Sequence, residues 1–120
     1  MSEPKVVVVE DDAGMRQALV RILGLGGYQP VAFASAEEML TSGEDSDAHC
    51  LVIDVQVPGM NGFALHQRLL GLGCAAPVIF ISAFEDGDTR TYPAQAGCPF
   101  LPKPFSGHVL LDTVRKCAVP

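Results

Sequence analysis

Val6-Val7-Val8-Val9-Glu10-Asp11-Asp12 decides how this chain is read. The apolar run is too short for a helix, rich in β-branching and free of polar alternation, so it predicts a strand buried on both faces. Such strands belong to parallel sheets covered by helices on either side. Two further runs behave alike: Leu51-Val52-Ile53 stops at Asp54, and Val78-Ile79-Phe80-Ile81 stops at Ser82. Val31 to Phe33 and Phe100-Leu101 are weaker candidates that raise the count to five, and Lys103 stands just past the last. Strand ends of a parallel sheet converge at one edge, which would gather carboxylates, a hydroxyl and an ammonium into one pocket. That mixture suits phosphate chemistry around a metal.

Between the strands the spacing turns helical. Asp12 can cap a first helix whose Met15, Leu19, Ile22 and Leu23 share a face, and Gly26-Gly27 supplies a stop. Ser35 with Glu38 reads as a capping box ahead of Met39 and Leu40, and residues 43 to 47 read as a polar loop. Asn61-Gly62 could be a hairpin corner, but Leu65, Leu69 and Leu72 follow at helical intervals, so Asn61 is read as a helix cap. The last helix begins near Ser106 and directs Val109, Leu110, Thr113 and Val114 to the core. Regular alternation of strand and helix predicts an α/β fold, a doubly wound five-stranded parallel sheet with helices on both faces.

Composition narrows the class. A chain of 120 residues fits one domain, here residues 1–120, that removes roughly two thirds of its unfolded surface from water. The net charge of -6 repels a polyanion and the eight Lys and Arg are scattered, which argues against direct nucleic-acid binding. Cys50, Cys74, Cys98 and Cys117 lie far apart without zinc or redox spacing. The N-terminus has no apolar signal core and no run approaches the ~18 residues of a membrane span, so the expected location is cytoplasmic.

The chemistry rests on residues taken together. Glu10 and Asp11 repel one another unless a hard cation or a solvated loop relieves them, and alone they read as an acidic turn with a helix cap. Asp54 at a second strand end changes that balance, because a buried carboxylate needs a partner. Lys103, held in Leu101-Pro102-Lys103-Pro104-Phe105, offers one. Ser82 would be a turn residue if it stood by itself. At the end of the fourth strand its hydroxyl could donate to a phosphoryl oxygen.

Four strings in this order, Val8 to Asp12, Asp54-Val-Gln-Val-Pro-Gly-Met-Asn-Gly62, Ile81-Ser82-Ala83 and Phe100 to Phe105, together resemble the receiver domain of two-component response regulators. The likeness runs from Lys5 to about Cys117. It implies a flavodoxin-like sheet of order 2-1-3-4-5, and Pro99 and Pro102 agree by placing the fifth strand at an edge. It implies that Asp54 is the phosphoacceptor, that Asp11, Asp54 and the backbone carbonyl of Gln56 bind Mg²⁺, and that Glu10 acts through bound water. Lys103 would contact the phosphoryl oxygens. Ser82 would move toward them, and Phe100 would turn inward behind it as the switch aromatic, although an ordinary half-buried strand aromatic fits Phe100 equally. The resemblance also implies a cis Lys103-Pro104 peptide.

The implied partners are a sensor histidine kinase as donor, and either a C-terminal DNA-binding output domain or a partner protein as recipient. A phosphorylation-dependent dimer belongs to the same pattern. Such a domain is a signalling switch that promotes its own phosphorylation and dephosphorylation rather than an enzyme. Its output surface would be the fourth helix, fifth strand and fifth helix, and the chain reads equally as free-standing or as part of a longer regulator.

Several features depart from the pattern or test it. Pro93 falls where the fourth helix belongs, so that helix should be short, late-starting or partly unwound. Phe84 near the pocket mouth would slow hydrolysis of the acyl phosphate. His49, His66 and His108 have no metal or relay spacing and are read as surface residues. A haloacid-dehalogenase phosphatase would need an acid where Gln56 stands, and a metal-dependent nuclease would want paired aspartates after the third strand. A flavin-binding module would place Ser, Thr and Gly after the first strand where this chain is acidic. A receiver-shaped module regulated without phosphorylation would not need the full set of acidic pair, acceptor, hydroxyl and lysine.

Overall fold

Each apolar run becomes a strand, and all five strands lie parallel in the order β2-β1-β3-β4-β5. The computed structural model describes residues 3–83 and 87–117. Along the chain it holds β1 (Lys5–Val9), α1 (Ala13–Leu25), β2 (Gln29–Phe33), α2 (Ala36–Ser42), a 3₁₀ turn (Glu44–Asp47), β3 (Cys50–Asp54), α3 (Gly62–Gly71), β4 (Val78–Ser82), α4 (Gly87–Ala96), β5 (Phe100–Pro102) and α5 (Gly107–Cys117). Three-residue β5 sits at the edge, as its flanking prolines require. No helix among the described residues is long and apolar enough to cross a membrane.

The side-chain period of two divides each central strand between two cores. Val6, Val8, Val52, Ile79 and Ile81 pack with Leu19 and Leu23 of α1 and with Leu110 and Val114 of α5. Val7, Val9, Leu51, Ile53 and Phe80 pack on the other face with Met39 of α2 and Leu65 and Leu69 of α3. Full burial of each such side chain contributes about 1.5–3 kcal/mol, so β1, β3 and β4 form a rigid floor. The functional groups stand at the ends of these three strands.

Local signals set the helix starts. The Asp12 carboxylate accepts the Met15 N–H at 2.7 Å, Ser35 Oγ accepts the Glu38 N–H at 3.1 Å, and Asn61 Oδ1 accepts the Ala64 N–H at 2.9 Å. Gly27 at φ 92° ends α1 in the left-handed conformation that side chains disfavour.

The structure corrects four expectations. Residues 44–47 form a 3₁₀ turn rather than a loop, because the Lys5 ammonium on β1 pairs with both Glu44 and Asp47. Val109 is 46% exposed, because the face set by Leu110 and Val114 leaves it about 100° away. His66 is buried, since α3 turns it into the sheet beside Leu65 and Leu69. Finally, α4 runs unbroken from Gly87 to Ala96 with Pro93 inside it. Proline gives up its own bond to the carbonyl four residues back, at Thr89, and its ring crowds that carbonyl, but here the ring is buried and α4 keeps its turns. The helix closes normally, with Cys98 N–H donating to the Pro93 carbonyl at 2.8 Å.

Candidate functional site

Glu10, Asp54 and Lys103 meet at the carboxyl edge of the sheet. Glu10 follows β1 and is fully buried, Asp54 ends β3 at 3% exposure, and Lys103 follows β5. Lys103 Nζ lies 3.0 Å from Asp54 Oδ2 and 3.0 and 3.2 Å from the two Glu10 oxygens. Asp11 is exposed beside them, and one oxygen from each of Glu10, Asp11 and Asp54 falls within 4.8 Å of the others.

The surroundings fix these groups by backbone contacts. Gln56 N–H donates to Asp54 Oδ1 at 3.0 Å, which settles the carboxylate's rotation and leaves the Gln56 side chain exposed. A Cβ on Gly62 would lie 2.7 Å from the Asp54 carbonyl oxygen and 2.9 Å from Val55 Cα, so α3 can start directly under the site only on a glycine. Ser82 is fully buried at the end of β4, one residue past Ile81, the register partner of Asp54. Its carbonyl accepts the Lys103 N–H at 2.8 Å, which joins β4 to the lysine. The Lys103-Pro104 peptide is cis. Phe100 is half-buried with the Arg90 guanidinium 5.2 Å above its ring. Phe84 lies outside the described residues.

Three charges of unequal sign share this small volume. Burial pushes the Glu10 carboxyl up, the neighbouring Asp54 pushes further, and Lys103 opposes both, leaving it at about 7. Burial by itself would lower the Lys103 ammonium, but Asp54 and Glu10 outweigh that and hold it above its ordinary value. Two buried carboxylates therefore compete for one ammonium, with Asp11 adding a third negative group at the rim. An all-oxygen donor set of this span with one solvent-facing member fits a hard divalent cation that keeps several waters. A cleft of about 760 Å³ opens beside the cluster, lined among others by Asp11, Gln56, Asn61, Thr91, Tyr92 and Gln95.

The sequence reading missed three residues around the site. Arg16 Nη1 donates to the carbonyls of Glu10 at 2.9 Å and Asp11 at 3.2 Å; the available signal was an arginine one helical turn after a strand-end acidic loop. Glu37 on α2 accepts the Met60 N–H at 3.1 Å and so holds the loop after Asp54, a contact across 23 residues with no local signature. His66 Nδ1 lies 2.9 Å from Tyr92 Oη, joining α3 to α4 within a cluster that includes Phe63 and Phe80. Its spacing of three from both Phe63 and Leu69 was the clue to its burial.

With the geometry in view, comparison with known proteins is direct. The family model "Response regulator receiver domain" matches residues 6–115, and the chain belongs to that family. It is 40% identical over 110 residues to nodulation protein W of Bradyrhizobium diazoefficiens, covering 91% of this chain and 48% of that protein. It is 32% identical over 114 residues to the C4-dicarboxylate transport transcriptional regulatory protein DctD of Rhizobium meliloti, covering 94% of this chain and 25% of that one. The matched residues thus make up half or less of the length of these curated relatives.

Among solved structures, response regulator StyR superposes with a TM-score of 0.88 at 33% identity, over 98% of this chain and 60% of that one. The Vibrio cholerae chemotaxis protein CheY4 superposes with a TM-score of 0.87 at 23% identity, over 97% and 99%, which speaks to the fold alone. Phosphorylation on an aspartate is the general property of this family, and its members bind Mg²⁺ at an acidic pocket.

Proposed function

We propose that Asp54 accepts a phosphoryl group from a phosphohistidine on a sensor histidine kinase, with Mg²⁺ held by Asp11, Asp54 and the Gln56 carbonyl and with Glu10 acting through water. One observation carries the reading: the Lys103 ammonium lies 3.0 Å from Asp54 Oδ2 inside an oxygen cluster suited to a divalent cation. A carboxylate so placed is nucleophilic only if the approaching phosphoryl charge is neutralised, and an ammonium and a dication supply that.

The Asp54 carboxylate attacks phosphorus, forming the P–O bond as the P–N bond to the donor imidazole breaks and its electron pair leaves with the ring nitrogen. Mg²⁺, when bound, withdraws charge from the phosphoryl oxygens. Gln56 N–H keeps the carboxylate oriented through Oδ1, and Lys103 shifts from Asp54 Oδ2 toward the incoming oxygens. Ser82 then donates its hydroxyl to them, drawn by an added charge of about -1.5 to -2. Phe100, on the strand that ends beside Lys103, follows as the switch aromatic.

The domain acts as one receiver unit over residues 1–120 and promotes its own phosphorylation and dephosphorylation. It works in the cytoplasm. Output passes through α4, β5 and α5 to a DNA-binding domain or a partner protein, with dimerisation on phosphorylation as one form of that output. Regulatory relatives longer than this chain support the first recipient. Incubation with acetyl phosphate and Mg²⁺ should add one phosphoryl mass to the protein and none to Asp54→Asn. Equal labelling of both would reject the assignment, as would no labelling of either by the donor or by beryllofluoride.

A further inference from the structure

We infer that Arg16 is a positioning residue for the cation site, holding Glu10 and Asp11 through their backbone carbonyls rather than through their carboxylates. This rests on the reading above. The residue lies in the first turns of α1, where its own N–H bonds the Asp12 carbonyl at 2.8 Å, so its Cα is anchored to the same loop it grips. One guanidinium nitrogen, Nη1, reaches back over five and six residues to the carbonyls of Asp11 and Glu10.

The geometry explains why this matters for the cation. Glu10 N–H is already bonded to the Phe33 carbonyl at 3.0 Å, so β2 fixes one side of the peptide that leaves β1. Past that point no strand among the described residues accompanies the chain, and the next two peptide planes are defined by Arg16, by the Asp12 cap and by the Asp12 N–H, which donates to Glu10 Oε1 at 3.3 Å. Drawing both carbonyls toward α1 sets the direction in which the Glu10 and Asp11 side chains depart. Buried Glu10 is further held by Lys103, but exposed Asp11 has no described hydrogen bond on its carboxylate that would hold it toward Asp54. Its placement depends on its backbone.

Charge alone predicts the opposite result, which makes the inference testable. A guanidinium close to a dication repels it, so removing Arg16 should tighten cation binding if the residue were only a nearby charge. Positioning predicts weaker binding. It also predicts a change in selectivity, because Mg²⁺ demands near-octahedral ligands at short range whereas Ca²⁺ tolerates irregular ones.

Titration calorimetry of Mg²⁺ and Ca²⁺ against the wild-type chain, Arg16→Gln and Arg16→Lys decides between them, with folding checked by circular dichroism. Arg16→Gln should lose about tenfold in Mg²⁺ affinity and less in Ca²⁺ affinity, the loss usual for groups that orient metal ligands. Arg16→Lys keeps the charge and a donor on a shorter, single-headed side chain, and should fall between. Unchanged or tighter Mg²⁺ binding by folded Arg16→Gln, or equal losses for both cations, overturns the inference while the proposed function stands. Absence of Mg²⁺ binding by the wild-type chain instead removes the proposed function.

Discussion

Without a cation, the protein should lose stability as pH rises from 5 to 8, and Glu10 should be responsible. Its folded value is about 7 against an ordinary 4.5, so between those values the folded state holds a proton that the unfolded chain has released. The resulting stabilisation is fully present below about 4.5 and is gone above about 7. A gap of 7 minus 4.5 corresponds to about 3 kcal/mol, most of it lost inside the chosen window. The measurement is urea unfolding in a chelator, followed by far-ultraviolet circular dichroism because the chain has no tryptophan.

Glu10→Gln isolates the effect. The variant should match the wild type near pH 5 and exceed it by about 2 to 3 kcal/mol at pH 8, where the wild-type carboxylate is ionised beside Asp54. Buried His66, held below its ordinary value by burial, works in the opposite sense: its stabilisation is present above the unfolded value and is lost as pH falls. It is common to both proteins and cancels in the difference. Saturating Mg²⁺ should erase the advantage of Glu10→Gln at pH 8, because the cation favours the ionised wild-type site. A difference between the two proteins that stays flat from pH 5 to 8 refutes the reasoning.

Four other substitutions test separate parts of the structure. Lys103→Met leaves Asp54 and Glu10 without their ammonium and should cost about 3–5 kcal/mol at pH 8 but clearly less at pH 5; equal losses at both pH values in urea unfolding would show that the lysine matters for packing instead. Gly62→Ala drives a methyl into the backbone at Asp54 and Val55 and should cost about 1–3 kcal/mol, whereas Gly26→Ala meets only the flexible end of Leu111 and should cost less; the reverse order in thermal melts would contradict the close approach under Asp54. Tyr92→Phe preserves the ring contacts with Phe63 and Phe80 but removes the hydroxyl facing His66, and should cost about 1 kcal/mol by the same melts; no loss would mean that the His66 contact contributes nothing.

What could be read from sequence followed the physics of burial. β1, β3 and β4 are buried on both faces and announced themselves as unbroken apolar runs, and the residue after β1 and the last residues of β3 and β4 gave Glu10, Asp54 and Ser82 with no knowledge of contacts. The start of β2 was hidden because Gln29-Pro30 is polar and lacks one donor, and only the register with Lys5 and Val6 makes it strand. The 3₁₀ turn was hidden for a similar reason, since its anchor, Lys5, lies about forty residues away. Arg16 and Glu37 escaped notice, and His66 was misplaced at the surface, because each acts through the reach of one side chain to a backbone or ring that its own neighbours in sequence do not mark. Pro93 misled because propensity prices a proline in an isolated helix, while here a buried ring within a packed α4 prevails.

The same contacts explain how a change of charge at Asp54 could leave the site. Lys103 is bound at both ends: its ammonium to Glu10 and Asp54, and its N–H to the Ser82 carbonyl at 2.8 Å. β5 has only three residues, from Phe100 to Pro102, and borders a single strand, so fewer ladder bonds resist movement at that edge than in the central strands. On the proposed reading, a phosphoryl group on Asp54 competes with Glu10 for the ammonium, and any displacement of Lys103 is felt directly at Ser82 and three residues back at Phe100. The central strands are fully buried and cannot yield. On that reading, displacement falls on β5 rather than on the central strands, not because a wire runs there but because the floor beneath Asp54 is stiffer than the edge beside Lys103.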